Sequence, residues 1–254
     1  GAANIGESTA TSVTTVTATL SAVSEKIVTV TLSKGGTAIE NTDYQLEGTI
    51  TLPAGTPISA SITLSAIGDL FDEFDETVII DITVVANGTE KDGLQQKTVT
   101  IIDDDATPTV TLSVGETTLE EKTGTTSTLV TVTLSAKSNL NVTVELAKSG
   151  TATNITDYTL ADSIVILAGT QSVATALAAV NDDPLDEVDE AVTIDMSNVT
   201  NGTEFETQQR TVNIIDKTDP PVVTLTTGVT SISETGTTTT QVTATIAAVS
   251  AKTV

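Results

Sequence analysis

The stretch Asp72-Glu73-Phe74-Asp75-Glu76 returns as Asp186-Glu187-Val188-Asp189-Glu190, and the pair Asp43-Tyr44 returns as Asp157-Tyr158, each displaced by 114 positions. A displacement kept that closely means the chain is built from copies of one unit, and that these carboxylates belong to the unit rather than to a random acidic surface. Other matches fill in the copy. Thr17-Ala18-Thr19-Leu20-Ser21-Ala22 corresponds to Thr131-Val132-Thr133-Leu134-Ser135-Ala136, and that in turn to Thr243-Ala244-Thr245-Ile246-Ala247-Ala248. Thr98-Val99-Thr100-Ile101-Ile102-Asp103 corresponds to Thr211-Val212-Asn213-Ile214-Ile215-Asp216, and Val110-Thr111-Leu112 to Val223-Thr224-Leu225. Displacements that differ by a residue or two belong in loops.

Within a copy the apolar residues alternate with Thr, as in Val130/Val132/Leu134, Val142/Val144/Leu146 and Val192/Ile194/Met196. Period two reads as half-buried strands, and Gly, Asn, Asp and Pro turns separate about seven of them per copy. Helix signals are absent. The expected fold is all-β: tandem immunoglobulin-like antiparallel β-sandwiches arranged end to end. Residues 1–105 form a first repeat whose first strand is missing, 106–218 a complete second repeat, and 219–254 the start of a third. Pro108 and Pro220-Pro221 stiffen the short connections.

The interior must be built from Val, Ile, Leu and Ala, since aromatics are 2% of the chain and Trp is absent. Thirty-four acidic against ten basic residues give a net charge of -24. That balance argues against nucleic acid and anionic membranes as partners and favours cations. A solubilising acidic surface would produce the same total, so position must decide between them. With no His and no Cys the usual ligands for zinc, copper and iron are missing, as are the usual nucleophile and general base. Oxygen-ligand metals are the metal chemistry that remains, and no catalytic role is expected. No apolar run is long enough to insert in a membrane.

In a seven-stranded sandwich, loops far apart in sequence converge at one end. The acidic residues fall on such loops. In the first unit they are Glu7, Asp43, Asp69, Glu73, Asp103, Asp104 and Asp105; in the second they are Glu121, Asp157, Asp182, Asp183, Glu187 and Asp216. Carboxylates 4 Å apart repel by roughly 1 kcal/mol in water and about 4 kcal/mol at partial burial, so a cation must neutralise them. Calcium fits, taking six to eight oxygen ligands in flexible geometry, whereas magnesium wants fewer protein ligands and retained water. The carboxylates suffice for two or more Ca2+ per complete cluster. Asp75, Glu76, Asp189 and Glu190 read as flanking the sixth strand without touching metal. Tyr44 and Tyr158 read as buried corner residues, and Phe71, Phe74 and Phe205 as loop anchors.

Gly36-Thr37-Ala38 followed by Asp43-Tyr44, the acidic loop from Asp69 to Glu76, and Ile101-Ile102-Asp103-Asp104-Asp105 together resemble the Calx-beta repeat. The second copy resembles it through Gly150-Thr151-Ala152, Asp157-Tyr158, Asp182-Asp183, Glu187 and Ile214-Ile215-Asp216. The resemblance implies an immunoglobulin-like sandwich whose end loops bind several calcium ions through the residues named above. Two departures stand out. Gly68 replaces the first acid of the middle loop in the first unit, and Asp216-Lys217-Thr218 replaces three aspartates in the second. Fewer or weaker ions are therefore expected at the second cluster.

The expected function is a calcium-binding structural segment of an extracellular, cell-surface adhesin stalk or filament, stiffened by Ca2+ at the repeat ends. Its partners would be calcium ions and neighbouring repeats or identical chains end to end. Two alternatives stay open: a calcium-sensing regulatory module, and a filament subunit that polymerises by strand exchange.

Overall fold

In a computed structural model of the chain, the described residues are all except 2, 9–11, 56–57, 94, 122–125, 181–184, 237–238 and 254. Asp182 and Asp183, expected as ligands, lie outside the described residues. Among the described residues every regular element is a strand, and no helix is long and apolar enough to cross a membrane. The chain divides into two compact units. Unit 1 is Gly1–Thr107 together with Lys137–Leu140, and unit 2 is Pro108–Ala136 together with Asn141–Val254.

Unit 1 holds β1 (Asn4–Gly6), β2 (Val13–Thr19), β3 (Val28–Gly36), β4 (Tyr44–Leu46), β5 (Thr49–Leu52), β6 (Ser59–Ala66), β7 (Glu76–Ala86) and β8 (Lys97–Ile102). They form one sheet in the order β1-β8-β7-β3-β5 and a second in the order β2-β6-β4. Unit 2 holds β9 (Thr109–Val114), β10 (Thr118–Glu120), β11 (Ser127–Leu134), β12 (Val142–Gly150), β13 (Tyr158–Thr159), β14 (Ser163–Ile166), β15 (Ser172–Ala179), β16 (Glu190–Thr200), β17 (Thr203–Glu204) and β18 (Gln209–Ile215). Its sheets run β10-β18-β16-β12-β14 and β13-β15-β11-β9-β17. A hairpin of β19 (Val223–Thr227) and β20 (Val242–Ile246) completes it.

Alternation does what the sequence implies. In β16, Val192, Ile194 and Met196 are buried, and in β11 so are Val130, Val132 and Leu134. These residues from two sheets meet in one continuous core that also takes in Val110 and Leu112 of β9. Unit 1 has no counterpart of β9 among its described residues, and its buried side chains fall into two separate groups. One surrounds Leu64, Val78 and Ile101, and the other Val28, Ile50 and Leu52. Tyr44 and Tyr158 are buried. Phe74 and Phe205, expected as anchors, are instead mostly exposed, because each sits on a loop with no apolar layer beneath it.

The Gly-Thr-Ala motif has a mechanical reading. Gly36 and Gly150 take φ of 110° and 118°. A Cβ at Gly36 would lie 2.0 Å from the Thr77 carbonyl oxygen, and one at Gly150 would lie 2.2 Å from that of Ala191. Only glycine lets the backbones approach so closely in that conformation. The next residue then ties the loop down. The Thr77 N–H donates to Thr37 Oγ1 at 2.8 Å, and the Ala191 N–H to Thr151 Oγ1 at 3.0 Å. The loop carrying Asp43 or Asp157 is thus pinned to the first residues of β7 or β16.

Inside this loop Asn41 has φ of 69° and its counterpart Ile155 has φ of 78°. Asn tolerates the left-handed region, whereas a β-branched side chain there is strained by roughly 1–2 kcal/mol. Ile155 is also largely exposed, so it gains little from burial in return. Ile155→Asn is expected to stabilise unit 2 by about 1 kcal/mol. Thermal melting of the full chain would read this as an upward shift of one transition, and an unchanged or lowered Tm would contradict the strain.

Candidate metal centre

Strand alternation places the first carboxylate. In β7, Glu76 shares the inward face with buried Val78 and Ile80, so its side chain enters the end of the sandwich from the strand itself. Asp43 comes from the pinned loop. It is buried, and one of its carboxylate oxygens accepts the Ile39 N–H, closing a small turn. Glu73 enters from the β6–β7 loop. One ligand oxygen from each of Asp43, Glu73 and Glu76 lies within 4.8 Å of the others, the one such group among the described residues. Glu76 thus departs from the flanking role expected of it. The period-two pattern of β7 is the signal in the sequence that identifies it.

Around this trio stand the other expected residues. Glu7 follows β1, is buried, and its N–H donates to the Ile102 carbonyl at 2.9 Å. Its carboxyl is pushed up to about 7, first by burial and then by the negative charges of Glu73, Asp69, Asp103 and Asp43. Glu76 is likewise pushed up to about 7 by burial, by a hydrogen bond with Asp43, and by the charges of Asp43 and Glu73. Burial also raises Glu73, Asp103 and Asp105, with neighbouring carboxylates adding to it. Asp69 is exposed and its Oδ1 accepts the Phe71 N–H at 2.7 Å. Asp104 is exposed. The structure therefore gathers Glu7, Asp43, Asp69, Glu73 and Asp103 with Glu76 into one electrostatic neighbourhood, with Asp104 and Asp105 at its edge. The ion pair in unit 1 among the described residues, Lys34 with Glu40, involves none of them.

Gly68, which departs from the acidic pattern, is explained by packing. A Cβ there would sit 1.7 Å from the Glu7 carbonyl oxygen, so the close approach of the Glu7 backbone excludes any side chain. Asp72, buried in the same loop, has a different task. Its carboxylate accepts the hydroxyls of Ser138 at 3.0 Å and Thr107 at 3.1 Å, and its carbonyl accepts the Asn139 N–H at 3.1 Å. Asn139 also donates its amide to Glu73.

Unit 2 repeats the frame with different charges. Glu121 and Asp157 are buried, and the Thr153 N–H donates to Asp157. Glu190 is pushed up to about 7 by burial, a hydrogen bond with Asp157, and the charges of Asp157, Glu187 and Glu121. Asp216 behaves oppositely. Burial would raise it, but hydrogen bonds from Thr218 and the Glu187 N–H, with Lys252 nearby, hold it below the usual range. Lys252 Nζ lies 2.6 Å from Asp186 and 3.9 Å from Asp216. Lys217, the residue that departs from the acidic pattern, pairs with Glu120 at 3.1 Å. Sequence reasoning misses Lys252 because 66 residues separate it from Asp186.

The Calx-beta domain profile matches the sequence twice, over residues 3–105 and 103–218. The chain belongs to the Calx-beta family. Solved structures similar to these Calx-beta units include CBD12 from CALX1.2, at 16% identity over 83% of this chain and 95% of that one, with a TM-score of 0.36. The calcium binding domain CBD12 of CALX1.1 is 17% identical over 83% of this chain and 95% of that one, with a TM-score of 0.37. The apo form of the Calx CBD1 domain is 22% identical over 43% of this chain and 98% of that one, with a TM-score of 0.36. No curated protein matches the sequence.

The raised carboxyls give the metal-free protein a definite pH response. Glu7, Glu76 and Glu190 hold protons up to about 7 in the folded Calx-beta units, against the usual 4.5. The folded state thus binds protons that the unfolded chain has released, so this contribution is full below about 4.5 and is lost as pH rises through about 7. Solvent screening reduces the effect at such partly open sites, yet a tenfold difference in proton affinity that survives it is worth about 1.4 kcal/mol, or roughly 4–8 °C in a domain of this size. In chelator, Tm is expected to fall by at least about 4 °C between pH 5 and pH 8. Glu76→Gln should flatten that slope. A Tm that stays level or rises with pH would show the carboxylates to be well solvated.

Proposed function

We propose that the Calx-beta units bind calcium through their end-loop carboxylates, and that the tandem array is a calcium-stiffened structural segment of an extracellular surface protein, an adhesin stalk or filament. The observation that carries the reading is the convergence of Asp43, Glu73 and Glu76 within 4.8 Å, buried beside Glu7 and Asp103, where repulsion raises the carboxyls instead of a cation lowering them. The donor set fits calcium. It is all oxygen, it offers more than the few protein ligands that magnesium accepts, and it comes from loops whose carboxylates can bind through one or both oxygens. In unit 1 the ligands would be Glu7, Asp43, Asp69, Glu73, Glu76, Asp103, Asp104 and Asp105. In unit 2 they would be Glu121, Asp157, Glu187, Glu190 and Asp216, with Asp182 and Asp183 completing the set.

The structural role rests on repetition and on what the acidic loop holds. The loop bearing Glu73 also binds Ser138 and Asn139, so an ion fixed by Glu73 fixes the segment 137–140, which continues into β11 and β12. Such a site needs only about 0.1–1 mM affinity outside a cell, where a sensor would need micromolar. In unit 2 the ammonium of Lys252 neutralises part of the charge that a metal would otherwise meet, so fewer or weaker ions bind there.

Melting in 2 mM calcium and then in chelator tests the claim. With a dissociation constant near 0.1 mM each site adds about 1.8 kcal/mol, which raises Tm by several degrees. No shift would remove the metal assignment, an equal shift with magnesium would remove its selectivity, and micromolar affinity by calorimetry would favour a sensor. Calorimetry should also resolve a stronger class of sites lost in Glu73→Gln and a weaker class tightened by Lys252→Leu. If Lys252→Leu leaves both classes unchanged, the lysine does not compete with metal.

A further inference from the structure

The two Calx-beta units differ at one edge. In unit 2, β9 lies antiparallel to β11, with Leu112 opposite Val132 and Val110 opposite Leu134, and parallel to β17 on its other side. Val110 and Leu112 are 0% and 1% exposed. Gln208 is buried behind the strand and reads its backbone, accepting the Leu112 N–H at 3.0 Å and donating to the Val110 carbonyl at 3.0 Å.

In unit 1, β2 stands where β11 stands in unit 2, but it pairs only with β6 and its outer edge forms no sheet pairing among the described residues. An open groove of about 870 Å³ occupies the place of β9, lined by Val16, Ala18, Leu20, Val30, Ile82 and Gln95 among others. Val16, Ala18 and Leu20 are half-buried there, while their counterparts Val130, Val132 and Leu134 are buried. Gln95, the counterpart of Gln208, lines the groove and donates only a 3.3 Å bond to the Gly93 carbonyl. The apolar floor, the strand edge and the backbone-reading glutamine of a strand site are all present.

A matching strand exists in the same chain. Val223-Thr224-Leu225 repeats Val110-Thr111-Leu112, yet in the hairpin with β20 every residue of β19 is exposed, Val223 at 51% and Leu225 at 69%. The pairing edges are chemically the same, since β20 offers Thr243-Ala244-Thr245-Ile246 and β2 offers Thr17-Ala18-Thr19-Leu20. What β20 lacks is a facing sheet. Moving from β20 to β2 keeps the ladder hydrogen bonds and adds burial of Val223 and Leu225, which decides the direction of exchange.

We infer that the open groove of unit 1 is a strand-docking site, and that its occupant is Val222–Thr227 of a second copy of the chain. The inserted strand runs antiparallel to β2, with Leu225 opposite Ala18 and Val223 opposite Leu20, and Gln95 takes the Leu225 N–H and the Val223 carbonyl. Donor and acceptor are different surfaces, so the contact is head-to-tail and propagates. No carboxylate of the candidate metal centre takes part, so the inference stands independently of calcium.

Sedimentation velocity on the full chain from about 1 to 200 µM in chelator, together with binding of a fluorescein-labelled peptide spanning Pro220–Gly228, tests this. The expected result is growth beyond dimers with concentration, dispersal of those species by excess peptide, and binding of the peptide to the full chain. The same peptide carrying Leu225→Lys should bind about tenfold more weakly or worse, and so should the native peptide to the Gln95→Ala chain. Circular dichroism of Gln95→Ala, with retention of the native Tm, separates a lost contact from a lost fold. If Gln95→Ala unfolds, Gln95→Glu takes its place, since it removes the amide donor at nearly constant shape. A monomer at every concentration that binds no peptide would overturn the site. A monomer that does bind peptide would overturn the second-copy assignment in favour of another strand donor, and a closed dimer indifferent to peptide would overturn both.

Discussion

The mutual repulsion of carboxylates that face into the end of a β-sandwich is the constraint on which the rest of each unit depends. At 4 Å two such charges cost about 4 kcal/mol in a partly buried setting, several times their cost in water. A fold with a core of Val, Ile and Leu would not assemble that arrangement unless the backbone left it no alternative. The Gly36 turn, the Thr37 hydroxyl on the Thr77 N–H, and the Ile39 N–H on Asp43 are what impose it. Each fixes a loop by backbone bonds that do not depend on any ion. The charged oxygens are therefore held near one another before a ligand arrives, and the binding energy of a cation is not spent on ordering them.

The two units solve the same electrostatic problem by different routes. In unit 1 protons relieve the charge, which is why Glu7 and Glu76 hold theirs to about 7. In unit 2 Asp216 takes hydrogen bonds from Thr218 and Glu187 and stands near Lys252, so that corner carries its own counter-charge while Glu190 still holds a proton. The backbone frame is common to both, as the paired glycines and paired threonines show. Affinity for a divalent ion is consequently set by a few side chains at the rim and can drift between copies without disturbing the fold.

Much of this is legible in the sequence. Alternation of apolar residues with Thr gives strands, and the 114-residue displacement gives the copies, because both follow from short-range rules. Asp43, Glu73 and Asp103 can be assigned because acids recurring on loops at one end of a sandwich must converge. Glu76 escapes because an acid beside a strand resembles an ordinary solvated flank until its phase with Val78 and Ile80 is counted. Asp72 resembles one more acid of the cluster, whereas its carboxylate is consumed by Ser138 and Thr107. Phe74 and Phe205 mislead because aromatic side chains usually mark cores, and here the loops beneath them are made of acids and turns. Lys252 and Ser138 act across 66 residues, a distance over which local pattern carries no information.

Those long-range partners also show that the sequence copy and the folding unit have different boundaries. Ser138 and Asn139 belong by repeat to the second copy but complete the acidic loop of unit 1, and Ser250 and Lys252 belong to the third copy but complete that of unit 2. A copy cut at its sequence boundary would leave Asp72 or Asp186 buried without its hydroxyl partner, a loss of roughly 1–3 kcal/mol for an unsatisfied polar group. Stability in such an array is then partly a property of neighbouring copies taken together, as in other repeat proteins where interface energies add to intrinsic ones. A cation bound at Glu73 adds to that same coupling energy, because the loop it neutralises is the loop that holds Ser138 and Asn139. Metal binding and cooperativity along the chain are for this reason the same free energy seen from two sides.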